Sequence, residues 1–289
     1  MSITKYQIFL KTAACGSFSK AAEAMNFTQS GISHAINSLE GELGVTLLSR
    51  NRGGVVLTAD GRALLPQIEK LCAAHHTMMQ TVESLKGMDS GLVKVATFSS
   101  VSFLWLPRIL KSFGQIYPNI EFEVITGDYY EQIESWIVSG AVDCGFFRLP
   151  STKHLQTYPL YRDELQVVVP CDHVYAQEDP FPASELAEEP FILLEEGEDY
   201  EIMAAFDKLG IRPHVKYTAR EAMVSEGLGI SLLPRLMVSH SPLPVQVCRA
   251  PLQFDRTIGI GVKDEKALSK STRLFVDYVR TWVAENGDK

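Results

Sequence analysis

Apolar positions in the first sixty residues recur with helical spacing. From Thr4 to Cys15, Tyr6, Phe9, Leu10 and Ala13 share one face. Phe18, Ala21, Ala22 and Met25 then follow at i, i+3, i+4 and i+7, and the two alanines leave room for a second helix to approach closely. Asn26 tolerates the left-handed conformation of a sharp turn, so the second helix is predicted to stop there. Thr28 can cap a third helix, whose buried stripe is Ile32, Ile36, Leu39 and Leu43. The opposite face carries Gln29, Ser30, Ser33, His34 and Asn37, which all hydrogen-bond and include no acid before Glu40. Two short helices with a tight turn and such a face make a helix-turn-helix suited to the major groove, although paired amphipathic helices also occur in ordinary helical domains. Leu47 to Thr58 reads as a hairpin, with Arg50 and Arg52 beside the Gly53-Gly54 turn, and a basic wing of this kind grips phosphate.

Beyond the hairpin the period changes twice. Residues 59–86 have one proline, Pro66, and one glycine, Gly61, both near the start. Leu64, Ile68, Leu71, His75, Met78, Val82 and Leu85 step alternately by four and three, a heptad seam. At ~1.5 Å per residue the segment is a rod of roughly 42 Å, whose stripe needs a partner, either a second chain or the chain's own body. Residues 87–91, with two glycines, break the rod. Strands are then predicted at 92–98, 120–126 and 142–147, with helices at 103–117 and 129–139 between them. A second unit opens at Leu165–Pro170 and continues with strands at 191–194, 214–217 and 229–233, a helix at 200–209, a return strand at 257–262 and a final helix at 269–285. Alternation of this kind predicts an open parallel α/β sheet, in two lobes with crossings near Arg162 and Lys263.

The run Phe9, Ala13, Gly16-Ser17-Phe18, Ala21-Ala22, Gln29-Ser30, Ser33, Ile36, Leu39-Glu40, Leu43-Gly44, Leu47-Leu48, Arg50, Leu57-Thr58 and Gly61 resembles the N-terminal signature of the LysR-type transcriptional regulators. Gly227 to Pro234 matches a second mark of that family far downstream. The resemblance covers the whole chain. It implies an α/β multidomain protein: a winged helix-turn-helix at 1–58, a linker and dimerisation helix at 59–86, a hinge at 87–91, and a two-lobed effector domain of the periplasmic-binding-protein type. Its lobes would be 92–162 with 264–289, and 163–263. The implied partners are double-stranded promoter DNA, a small-molecule effector, a second copy along the linker helix, a further pairing into a tetramer, and RNA polymerase. The DNA contacts implied are Ser19, Thr28, Gln29, Ser30, Ser33, His34, Asn37, Arg50 and Arg52. His34 stands where the family usually carries Arg, exchanging a permanent charge for a switchable one, and Ser30-Gly31 stands where Pro is frequent. Thr218 to Ala222 is shorter than the family's usual segment, so either the second lobe has closed around a deletion or its effector response is impaired.

Charge sharpens the division of labour. The chain carries −8 overall, from 27 Lys and Arg against 35 Asp and Glu. Residues 1–62 hold six of the bases and four of the acids, so a slightly positive reader rides on a body of −10. Five scattered cysteines without a Cys-x-x-Cys pair read as reduced thiols. No apolar run is long enough to span a bilayer and no secretory signal is seen, so the expected location is the cytoplasm, with no membrane partner.

In open α/β sheets ligands gather at the carboxyl ends of strands. The candidates there are Ser99, Ser100 and Ser102 after the first strand, Thr126 and Gly127 after the second, and Arg148 after the third, a set suited to a small anion. Glu195 and Thr218 are candidates from the second lobe. Serines at a helix start also serve as caps, and Arg148 could pair with Asp143 or Asp163. No Gly-x-Ser-x-Gly elbow, His-x-x-x-His pair or phosphate-cradling glycine loop occurs, and His75 and His76 diverge on a helix. No enzyme, metal or cofactor is expected. A plain solute-binding protein would leave residues 1–62 without a purpose.

Overall fold

The computed structural model describes residues 2–51, 54–85, 90–194, 199–219, 223–239, 243–251 and 255–287. The winged domain is built from α1 (Ile3–Cys15), α2 (Phe18–Met25), α3 (Gln29–Leu43), β1 (Leu48–Asn51) and β2 (Gly54–Leu57). Phe9, Ala21, Ile32, Ile36, Leu39 and Leu47 are buried at its centre. Asn26 ends α2 at φ 56°, and the Thr28 hydroxyl accepts from the Gly31 amide at 3.1 Å. Glu40, on α3, accepts from the amides of Leu47 and Leu48 at 2.6 and 3.0 Å, which fixes the wing's first strand to the third helix. The Val55 amide donates to the Gly16 carbonyl at 2.8 Å and ties the second strand to the α1–α2 turn.

The long helix α4 (Ala59–Leu85) begins against the wing, where a Cβ on Gly61 would stand 2.1 Å from the Leu47 carbonyl. Its seam divides. Leu64 and Ile68 pack into the winged domain's own core, whereas Leu71, Met78 and Val82 are exposed. Ala73 and His76, on another face, meet the following domain. A Cβ on Gly140 would stand 2.7 Å from that of Ala73, and His76 Nε2 lies 3.2 Å from Asp143 Oδ2. The expected hinge residues 87–89 lie outside the described residues.

The first lobe comprises β3 (Gly91–Thr97), α5 (Ser99–Leu104), α6 (Leu106–Ile116), β4 (Ile120–Thr126), α7 (Tyr130–Ser139) and β5 (Cys144–Leu149). The single helix expected over 103–117 is in fact two, starting at Ser99 and broken at Trp105. Pro107, in the first turn of α6, has no amide to continue the ladder. Next comes β6 (Gln156–Pro170), a single strand of 15 residues where only Leu165–Pro170 was expected. The second lobe adds α8 (Glu185–Glu188), β7 (Pro190–Leu194), α9 (Asp199–Leu209), β8 (His214–Ala219), a short 3-10 turn at Met223–Glu226, β9 (Ser231–Pro234), α10 (Arg235–Val238) and β10 (Val245–Arg249). The chain closes with β11 (Asp255–Val262) and α11 (Lys270–Asn286).

The expected parallel sheet is mixed. Among the described residues one seven-stranded sheet runs β10-β6-β11-β5-β3-β4, with β9 also paired to β6. β3 pairs β4 and β5 in parallel, but β11 is antiparallel to both β5 and β6, and β9 and β10 are antiparallel to β6. The second crossing also moves. Ile258, Ile260 and Val262 lie in the first lobe's core with Phe113 and Phe275, so the chain returns between Arg249 and Asp255, ahead of Lys263. Residues 255–263 therefore belong with the first lobe. A separate core, including Phe181, Phe191 and Phe206, holds the second.

Candidate DNA-reading face and effector cleft

Capping by Thr28 starts α3 at Gln29, so Gln29, Ser30, His34 and Asn37 are exposed along one side and Ser33 is half-buried. The Thr28 hydroxyl, which caps the helix, stands 3.1 Å from that of Ser30. Ser19 is exposed in the first turn of α2. Arg50, exposed on β1, places its guanidinium 4.5 Å from the centroid of the Phe18 ring and donates to Ser33 Oγ at 3.4 Å. Stacking on Phe18 sets the cation beside the polar face of α3. Arg52 lies outside the described residues.

In the first lobe the parallel register opposes Thr97 to Thr126 and Ala96 to Gly145, so the carboxyl ends of β3, β4 and β5 share one edge. Ser99 and Ser102 are half-buried there, Thr126 is exposed, and Gly127 is buried with its amide donated to the Thr97 carbonyl at 2.8 Å. A Cβ on Gly127 would stand 2.9 Å from the Ile133 side chain, which explains a glycine at that turn. Arg148 is half-buried at the end of β5. Asp143 accepts from His76 and from the Lys94 amide, and Asp163 belongs to Arg256. Thr218 is exposed near the end of β8, and Glu195 lies outside the described residues.

Arg256 was missed in the sequence. It is 2 % exposed, and its Nε and Nη2 donate to Asp163 Oδ2 at 3.0 and 2.9 Å. Nη2 also donates to Ser100 Oγ at 3.1 Å, and Nη1 to the Tyr130 hydroxyl at 2.8 Å. Ser100 is 4% exposed, and its hydroxyl oxygen accepts from this guanidinium. Nothing in a Phe-Asp-Arg-Thr stretch distinguishes a buried arginine from an exposed one. The only available signal was the acid pair Asp163-Glu164, set directly before the apolar run Leu165–Pro170.

The winged fold and the two-lobed domain each have counterparts. Residues 3–62 match the family described as bacterial regulatory helix-turn-helix protein, lysR family, and residues 86–284 match the LysR substrate binding domain. The chain belongs to the LysR family of transcriptional regulators. It is 31% identical to the HTH-type transcriptional regulator YvbU of Bacillus subtilis, covering 97% of this chain and 98% of that one. It is also 31% identical to the probable regulator LrrA of Synechococcus elongatus, over 99% and 98% of the two chains. Full-length CbnR, solved in complex with its target DNA, has the same fold at a TM-score of 0.69 and 21% identity, over 97% of this chain and 99% of that one. As a LysR-type regulator the chain binds DNA through its helix-turn-helix and carries an effector-binding domain. These families are regulators and not enzymes. No described helix is long and apolar enough to cross a membrane.

Proposed function

We propose that this LysR-type regulator reads promoter bases with Gln29, Ser33, His34 and Asn37 and grips the flanking phosphates with Arg50 and Arg52, with Ser19, Thr28 and Ser30 at the margin of the contact. The observation that carries the reading is the guanidinium of Arg50, seated on Phe18 beside the polar side of α3. Base readers and a phosphate grip then act in one groove. Residues 1–58 serve as the reader and α4 as the subunit joint. The exposed Leu71, Met78 and Val82 support pairing with a second copy along α4, and two such dimers join through the effector lobes into a tetramer that meets RNA polymerase. The protein works in the cytoplasm, where promoter DNA is. The effector is a small anion held at the carboxyl edge of the first lobe by Ser99, Ser100, Ser102, Thr126, Gly127 and Arg148, with Glu195 and Thr218 facing it from the second.

Quantitative footprinting on the DNA upstream of its own gene tests the reader. Gln29→Ala removes a bidentate partner for adenine and should relax specificity at one base position by ~1–3 kcal/mol. Arg50→Ala should weaken all sequences alike and flatten the salt dependence. Equal losses at every position for both variants would remove Gln29 as a reader.

A further inference from the structure

Arg256 does more than neutralise Asp163. Register opposes the two residues across β11 and β6, and the neighbouring Thr257 faces Leu149 at the end of β5. The ion pair therefore stands at the same edge as the strand ends that carry Ser100 and Arg148. The second lobe reaches this point too. Leu165 opposes Pro234, and the Leu236 amide donates to Asp163 Oδ1 at 2.9 Å. Both side chains are almost wholly buried, with side-chain exposures of 1% and 0%. A buried pair of this kind is weak evidence of stabilisation by itself. What matters is where its remaining donors go, which is to hydroxyls on the segments following β3 and β4.

The Ser100 hydroxyl offers one donor and two acceptor positions. Its oxygen accepts a hydrogen bond from Arg256 Nη2, and among the described residues none accepts one from the Ser100 hydroxyl. A hydroxyl held by its oxygen against a cation is a fixed and strengthened donor.

We propose that Arg256 is the positioning residue of the effector site: it clamps Ser100 by its oxygen, so that the Ser100 proton is presented to an anionic acceptor on the effector. This rests on the reading of the first-lobe edge as an anion-binding cleft. Asp163 holds the clamp from the other side and, through Leu236, keeps the second lobe in register with it.

The test uses the full chain with butyrate as probe, neutral butyramide as control, and chloride at matched ionic strength as reference. Butyrate should raise the Tm of the native protein more than butyramide or chloride does. Ser100→Ala and Arg256→Lys should each weaken butyrate by about tenfold, the value of one hydrogen bond to a charged group. The double variant should bind no more weakly than the weaker single, because the two residues act as one unit. Losses that multiply would make Arg256 an independent contributor and overturn the clamp. So would a Ser100→Ala loss with Arg256→Lys unaffected, which would leave the anion cleft standing. Butyrate that stabilises no better than chloride would overturn the anion cleft and the clamp with it. If Arg256→Lys does not fold, Asp163→Asn replaces it, since it loosens the guanidinium and leaves Ser100 untouched. Native butyrate affinity in that variant would overturn the proposal.

Discussion

At the scale of single residues, the polar groups that matter are held by partners distant in the chain. Thr28 and Asn26 act locally, as a cap and a turn, and both were legible in the sequence because their chemistry needs only neighbours. Arg256, Asp163 and Ser100 were not, because their meaning lies in contacts spanning 93 and 156 positions. Asp255 is of the second kind. Arg162 hydrogen-bonds to it at 2.7 Å and holds its carboxyl below the ordinary aspartate range. Its folded pKa therefore lies under its unfolded one, near the usual value of about 3.9. The stability this contributes is complete above that value and is lost as pH falls through the folded one. Asp255→Asn should accordingly lower Tm at neutral pH, with the gap to the native protein closing below about pH 4. A gap that is constant from neutral to acid in thermal melts would exclude this linkage.

At the scale of elements, α4 shows how one heptad pattern can serve two masters. Periodicity alone assigns the same partner to every position in a seam. The structure gives Ile68, 4% exposed, to the winged domain, and leaves Leu71 and Met78 at 46% and 54%. Substitution to Asp should separate these roles. Ile68→Asp buries an unpaired charge and should destabilise the winged domain by about 3 kcal/mol or more. Met78→Asp should leave the fold intact and reduce the sedimenting mass. If Met78→Asp keeps the native mass, the exposed stripe is not a subunit joint. Helix breaks were harder to read than helix faces. Pro107 divides α5 from α6, yet the apolar positions on either side continue the same stripe through Leu106, Ile109 and Phe113.

At the scale of the whole molecule, alternating strands and helices correctly indicated two α/β lobes but misjudged their wiring. Apolar runs such as Leu165–Pro170 look alike in parallel and antiparallel settings, so direction had to come from pairing. The seat of α4 on the first lobe was equally silent, since Ala73 and Gly140 reveal their fit only when brought together. Ala73→Leu should lift the helix from this seat and enlarge the radius of gyration without unfolding either part, as small-angle scattering with circular dichroism can measure. An unchanged radius would mean that the seat tolerates the added bulk.

The 15-residue strand β6 has one more consequence. It pairs with β11 along its first half and with β9 and β10 along its second, so one backbone is structural in both lobes. In mechanical terms the lobes share a torsion bar and not a pin joint. Neighbouring strands in a sheet are already twisted relative to one another, so a closure of the lobes on an effector would be taken up as a change of twist along this bar. Twist accumulates with distance from the axis, and the largest displacements therefore fall on the outermost strands, β4 at one rim and β10 at the other.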